Sequence, residues 1–330
     1  MPFQKLHVYW IFRVFVGFTY SFALLSCNPS NKKQEAIDAI PVDVQLLRFH
    51  EEFAKADTTQ LQQLKQRYPR LFPSAAPDQF WYDKMTERDT VLTMLEQAVD
   101  QRSFDFDQIK TDIEDVQRHI KYYFPEFEPL PIITMISEVS YDRKVLVREE
   151  AIYLSIDTYL GEDHELYQGI SNYKRENLNI EQIPADAALE FAKLFVEPSM
   201  DRSFLDVMIY NGKLHYLQSL FSPSSTGDQY FDYNPEKYKF VQENETQIWK
   251  YFVDRELLYK TDSKLLSRFI TDAPFSTFYL EFDNETPGGV GRYIGYRIVE
   301  AFMANNDLDL DALLSLPADR IINESGYKPL

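Results

Sequence analysis

The sequence predicts an α+β body, mostly helical with one small central sheet, and three observations carry that prediction. Apolar residues recur at three- and four-residue spacing before and after the middle of the chain. Short β-branched runs are confined to the middle third, and no internal repeat is visible. The 330 residues are 45% hydrophobic and 15% aromatic, enough apolar surface to offset the entropy of ordering a core.

Residues 1–26 read as a secretory signal: Lys5 and Arg13, an apolar run at 14–25 too short for an ordinary membrane span, then Leu24-Leu25-Ser26-Cys27. Cys27 is the only cysteine, which excludes an intramolecular disulfide and any multi-cysteine zinc site. The small Ser26 before it and Leu24 three positions ahead resemble the lipobox of bacterial lipoproteins. That resemblance implies diacylglycerol transfer to the Cys27 thiol, cleavage before it and acylation of the new amino terminus. Several acyl chains anchor firmly, since each buried methylene contributes about 0.8 kcal/mol. Polar residues 27–41 then read as a lipid-anchored tether, and 42–330 as one globular body.

Within the body, 42–124 carries a helical pattern. Val44, Leu47, Phe49 and Phe53 mark one amphipathic stretch, Val91, Leu95 and Val99 a second, and Ile109, Ile113, Val116, Ile120 and Phe124 a third. Pro69, Pro73 and Pro77 punctuate the first two. Short β-branched runs at 131–136, 145–147 and 151–156 predict the sheet. Helices return at 185–195, 203–221, 236–259, 262–270 and 289–304.

The formal net charge is −18, and losing 1–26 removes two bases and no acid, leaving 32 basic against 52 acidic residues, or −20. Such a body repels phosphate backbones and anionic lipid surfaces, so nucleic acid is excluded as a partner and the membrane is reached through the lipid anchor. No Gly-x-Ser-x-Gly elbow, spare thiol or glycine-rich phosphate cradle is present, and no cofactor or metal is assigned. Three Asn-Glu-Thr/Ser sequons, at Asn244, Asn284 and Asn323, match the glycosylation pattern, but the lipobox points to bacteria, where that machinery is usually missing.

The most informative motif lies at 211–215. Zincin peptidases place His-Glu-x-x-His on a helix so that two imidazoles one turn apart bind zinc while the glutamate activates water. Here the five positions read Asn211-Gly212-Lys213-Leu214-His215. An amide is a poor zinc ligand and glycine cannot accept a proton, so this degenerate motif cannot run that hydrolysis. Gly212 predicts a kink or a close packing contact, since glycine inside a helix costs about 1 kcal/mol relative to alanine. His215 reads as a hydrogen-bonded structural residue; a metal would need His164, Glu243 or Glu245 brought beside it. Further on, Glu281, Asp283 and Glu285 would form an acidic row on one face if extended. Gly291 and Gly295 let another backbone approach a helix start.

The lipobox, the runs at 159–167 and 204–213, Asn244-Glu245 with Ile248-Trp249 and Tyr251-Phe252, and the run at 274–296 together resemble the gliding-motility lipoprotein family GldB of the Bacteroidota. The resemblance is densest over 159–299. It implies a cell-envelope lipoprotein required for gliding, a motility linked to type IX secretion, and a distant likeness to zincin-type peptidases. The expected function is therefore non-enzymatic: a degenerate zincin-like body that supports the motility and secretion apparatus through contacts with other envelope proteins. A metal-dependent hydrolase and a glycan- or peptide-binding lipoprotein are the alternatives. Asn28 after the cysteine, in place of an inner-membrane retention aspartate, points to the outer membrane facing the periplasm.

Overall fold

The β-branched run at 131–136 becomes the centre of a four-stranded sheet. In the computed structural model, which describes residues 29–87, 90–198, 202–281 and 283–329, strands β1 (Leu46–Leu47), β2 (Ile132–Met135), β3 (Val145–Val147) and β4 (Ile152–Ser155) lie in the order β1-β2-β4-β3. β2 is parallel to β1 and β4, with Ile132 opposite Ile152, and β3 closes one edge antiparallel to β4. Alternate side chains point to opposite faces: Ile132, Ile152 and Leu154 enter one core, Ile133 and Tyr153 another. Both faces are covered, which is why the strands read as continuous apolar runs. The expected signal segment and Cys27 lie outside the described residues.

The first third holds six α-helices: α1 (Pro29–Asp38), α2 (Phe49–Lys55), α3 (Leu61–Arg67), α4 (Asp78–Thr86), α5 (Thr90–Arg102) and α6 (Phe106–Tyr123). α6 follows its sequence period closely. Ile109, Ile113, Val116 and Ile120 are all buried on its core face, and the Asp105 carboxylate caps its start by accepting from the Gln108 N–H at 3.0 Å. Two expectations differ from the structure. The polar stretch at 27–41, read as a tether, is helical over α1; its Ile37 is buried at 1% exposure, and Lys33 sits 5.0 Å over the Tyr123 ring on α6. One apolar residue docks a helix that composition alone reads as solvated. Val44 to Leu47, read as part of a helix, contains β1 instead; two residues carry too little period to be told from a helix.

After the sheet come α7 (Asn172–Arg175), α8 (Ile183–Phe195), α9 (Phe204–Phe221), α10 (Gly227–Tyr230), α11 (Pro235–Glu243), α12 (Glu245–Asp254), α13 (Lys264–Phe269), α14 (Val290–Asn305), α15 (Leu310–Ser315) and α16 (Ala318–Ser325). The single helix expected at 236–259 is two, parted at Asn244, whose side chain donates to the Phe240 carbonyl at 2.9 Å. α9 is the axis of this half. Its Leu214, Leu217 and Phe221 pack with the sheet, α6 and α8, while Phe204, Leu205, Met208 and Ile209 pack with α12, α13 and α14. A helix buried on nearly every side needs a firm start, and Ser203 and Asp206 form a reciprocal capping box there.

The acidic row does not form. Asp283–Glu285 is a single 3₁₀ turn, and the Asp283 carboxylate accepts from the Tyr279 and Leu280 N–H groups at 2.7 and 3.2 Å, holding Tyr279 at φ +63. The short aspartate side chain bonds its local backbone in preference to lying along a strand.

Candidate functional site

The degenerate motif sits on α9 where that helix crosses α14. A Cβ on Gly212 would stand 2.2 Å from the Gly295 carbonyl oxygen, and one on Gly295 would stand 2.0 Å from the Met208 oxygen. Both glycines are therefore required by backbone contact, and the close-packing alternative read for Gly212 is the one realised. The Asn211 side chain turns back on its own helix, donating to the Val207 carbonyl at 2.8 Å. Lys213 reaches the end of α15, donating to the Leu314 and Leu316 carbonyls at 3.0 and 2.7 Å; burial pushes its ammonium down to about 8.

His215 is buried, and its tautomer is set by its neighbours. Gln218 Nε2 donates to the Ala185 carbonyl at 2.9 Å, which orients the amide so that its Oε1 accepts from His215 Nδ1 at 2.8 Å. Nδ1 thus carries the proton and Nε2 keeps a lone pair. Burial, with the Arg292 guanidinium adding to it, pushes the His215 pKa down to about 3, so the ring is neutral through the physiological range. Phe231 lies 4.7 Å away, ring centre to ring centre.

The residues that could have completed a metal site go elsewhere. His164 Nδ1 accepts from the Leu166 N–H at 3.2 Å at the start of a 3₁₀ turn. Glu245 is buried and accepts from the Tyr293 and Tyr327 hydroxyls at 2.7 and 2.9 Å, with Arg297 beside it. Glu243 is exposed and 3.7 Å from Lys239. Among the described residues no group of three His, Cys, Asp or Glu side chains is placed to hold a metal ion.

What the sequence did not reveal is a cavity of about 390 Å³ beside α9, between α8, the β3 end of the sheet and the start of α14. Asn211 and His215 line it, together with Lys144, Asp186, Asp232 and Arg292. Lys144 Nζ lies 2.8 Å from Asp186 Oδ2 and 3.6 Å from Asp232 Oδ1, and the Tyr159 hydroxyl donates to Asp186 at 2.7 Å. Burial drives the Asp186 carboxyl up to about 6 against the pull of Lys144. Asp232 holds a left-handed backbone, φ +54. Arg292 pairs with Asp272 at 2.9 Å, while its buried Nε has no partner among the described residues.

Fold and site define a mostly helical α+β body whose described helices include none long and apolar enough to cross a membrane. The family model of the gliding motility protein GldB matches residues 30–329, and the chain belongs to that family, as the sequence resemblance anticipated. This makes it a gliding-motility lipoprotein of the cell envelope. No curated protein and no solved structure matches it.

Proposed function

We propose that the chain supports gliding as a non-enzymatic component, held on the outer membrane by lipid at Cys27 and acting through contacts with other motility and type IX secretion proteins. The observation that carries this reading is the fate of the zincin positions. Asn211, Gly212, Lys213 and His215 each serve the fold: a bond within α9, a helix crossing, a helix end and a buried hydrogen bond. Exposed apolar side chains on the α12–α14 half, Tyr259 at 68% and Tyr279 at 73%, give aromatic surface of the kind enriched at protein interfaces.

Crosslinking in gliding cells followed by mass spectrometry tests the contacts. The expected result is crosslinks from this half to other envelope motility proteins; a chain linked to none of them would overturn the reading. A metal-dependent hydrolase instead predicts about one zinc per chain after purification from zinc-supplied culture. Anchoring has its own test: Cys27→Ser should remain an uncleaved precursor that takes up no labelled fatty acid.

A further inference from the structure

The cavity beside α9 buries charge that stability does not require. Lys144 and Asp186 lose water on both partners, and replacing such a pair with packed apolar residues is often neutral or stabilising. Asp232 stands in a strained backbone, yet its carboxylate is loosely held, 3.6 Å from Lys144 Nζ and 3.4 Å from Gln182 Nε2, with about a third of the side chain exposed. In a chain of net charge −18 the wall is balanced, with five basic and five acidic side chains. Neither a simple anion nor a simple cation is the natural complement of such a wall.

A neutral sugar also fits poorly. Sugars stack on open ring faces, but of the three tyrosines on the wall, Tyr141 and Tyr173 have Lys174 over their rings at 4.2 and 6.0 Å, and Tyr233 is buried with its hydroxyl donated to the Gly288 carbonyl. What the wall offers is a loosely held carboxylate, a guanidinium whose Nη1 pairs with the half-exposed Asp272, and an imidazole fixed as a neutral acceptor at Nε2.

We propose that this cavity binds a short zwitterionic peptide, of two or three residues, its ammonium taken by Asp232, its carboxylate by Arg292, and an amide N–H by His215 Nε2. The volume of about 390 Å³ is within the ordinary range of small-ligand sites. The inference goes beyond the scaffold reading and fails separately from it, since ligand binding is read on the purified protein and partner contacts are read in cells.

The test is calorimetric titration of the full lipidated chain in detergent with trialanine, N-acetyl-trialanine, trialanine amide and N-acetylglucosamine. Trialanine should bind, and blocking either terminus should weaken it roughly tenfold or more. Asp232→Asn keeps the fold, because asparagine tolerates a left-handed backbone. It should weaken trialanine by a similar factor and leave the N-acetyl form unchanged. Absence of trialanine binding at millimolar concentration, equal binding of the blocked forms, preference for the sugar, or an Asp232→Asn protein that binds trialanine as the parent does would each overturn the proposal.

Discussion

The two sides of α9 bury residues for opposite reasons. Where the helix meets α14, Gly212 and Gly295 bring backbone against backbone, and the contact depends on the absence of atoms rather than on chemistry. Where it faces the cavity, Asn211 and His215 stand beside the Lys144–Asp186 pair, and what matters is which groups carry charge and which way their hydrogen bonds run. Adjacent positions of one motif fall on different sides. A pentad that resembles a catalytic signature in sequence is thus divided by the fold between a helix crossing and a polar wall.

The crossing should be intolerant of size. Gly295→Val places side-chain atoms on the Met208 carbonyl, and the helix propensity gained over glycine, about 1 kcal/mol, cannot offset that clash. The expected outcome is a loss of about 4 kcal/mol or more, read as insoluble protein or a collapsed denaturation midpoint. A folded Gly295→Val protein of parental stability would mean that the helices cross elsewhere.

The wall should be intolerant of unbalanced charge instead. Lys144→Met leaves Asp186 buried without its cation and should cost about 3 to 5 kcal/mol near neutral pH. Adding Asp186→Asn should recover most of that loss, because asparagine removes the stranded charge and still accepts from the Tyr159 hydroxyl, and the ion pair as a whole contributes little. Urea unfolding of parent, single and double variants checks this; a double variant no better than the single would give the pair a real stabilising role.

A smaller effect separates His215 from its charged neighbours. Its folded pKa of about 3 lies below the ordinary 6.5, so between those values the unfolded chain takes up a proton that the folded chain refuses. Stability from this group is therefore full above about pH 6.5 and is lost as the pH falls toward 3. Asp186 works in the opposite sense, but equally in both proteins being compared. His215→Gln should gain on the parent by about 2 kcal/mol on moving from neutral pH to roughly pH 4.5, measured by denaturation at each pH. A constant difference across that window would show that the ring is charged in the folded protein.

Much of the packing was legible because it repeats. Ile109, Ile113, Val116 and Ile120 announce α6, and the β-branched run at 131–136 announces β2. Gly212 and Gly295 could each be read as a place of close approach, but that they approach each other is a fact of tertiary structure. β1 was hidden by its two-residue length, and α1 by depending on one apolar side chain, Ile37. The cavity left no linear signal at all. Lys144, Asp186, Asp232 and Arg292 come from four separate parts of the chain and stand among 86 charged residues, so only the fold distinguishes them.

The most direct test of the claim that positions 211–215 serve the fold is spreading motility measured beside protein level in cells carrying His215→Gln. Glutamine keeps a polar end for Gln218 and removes the imidazole. Because gliding rests here on protein contacts and not on the cavity's ligand, the account predicts a protein that accumulates and cells that glide as the parent does, even where the lost imidazole weakens trialanine binding; a protein that accumulates in cells that no longer glide would contradict it.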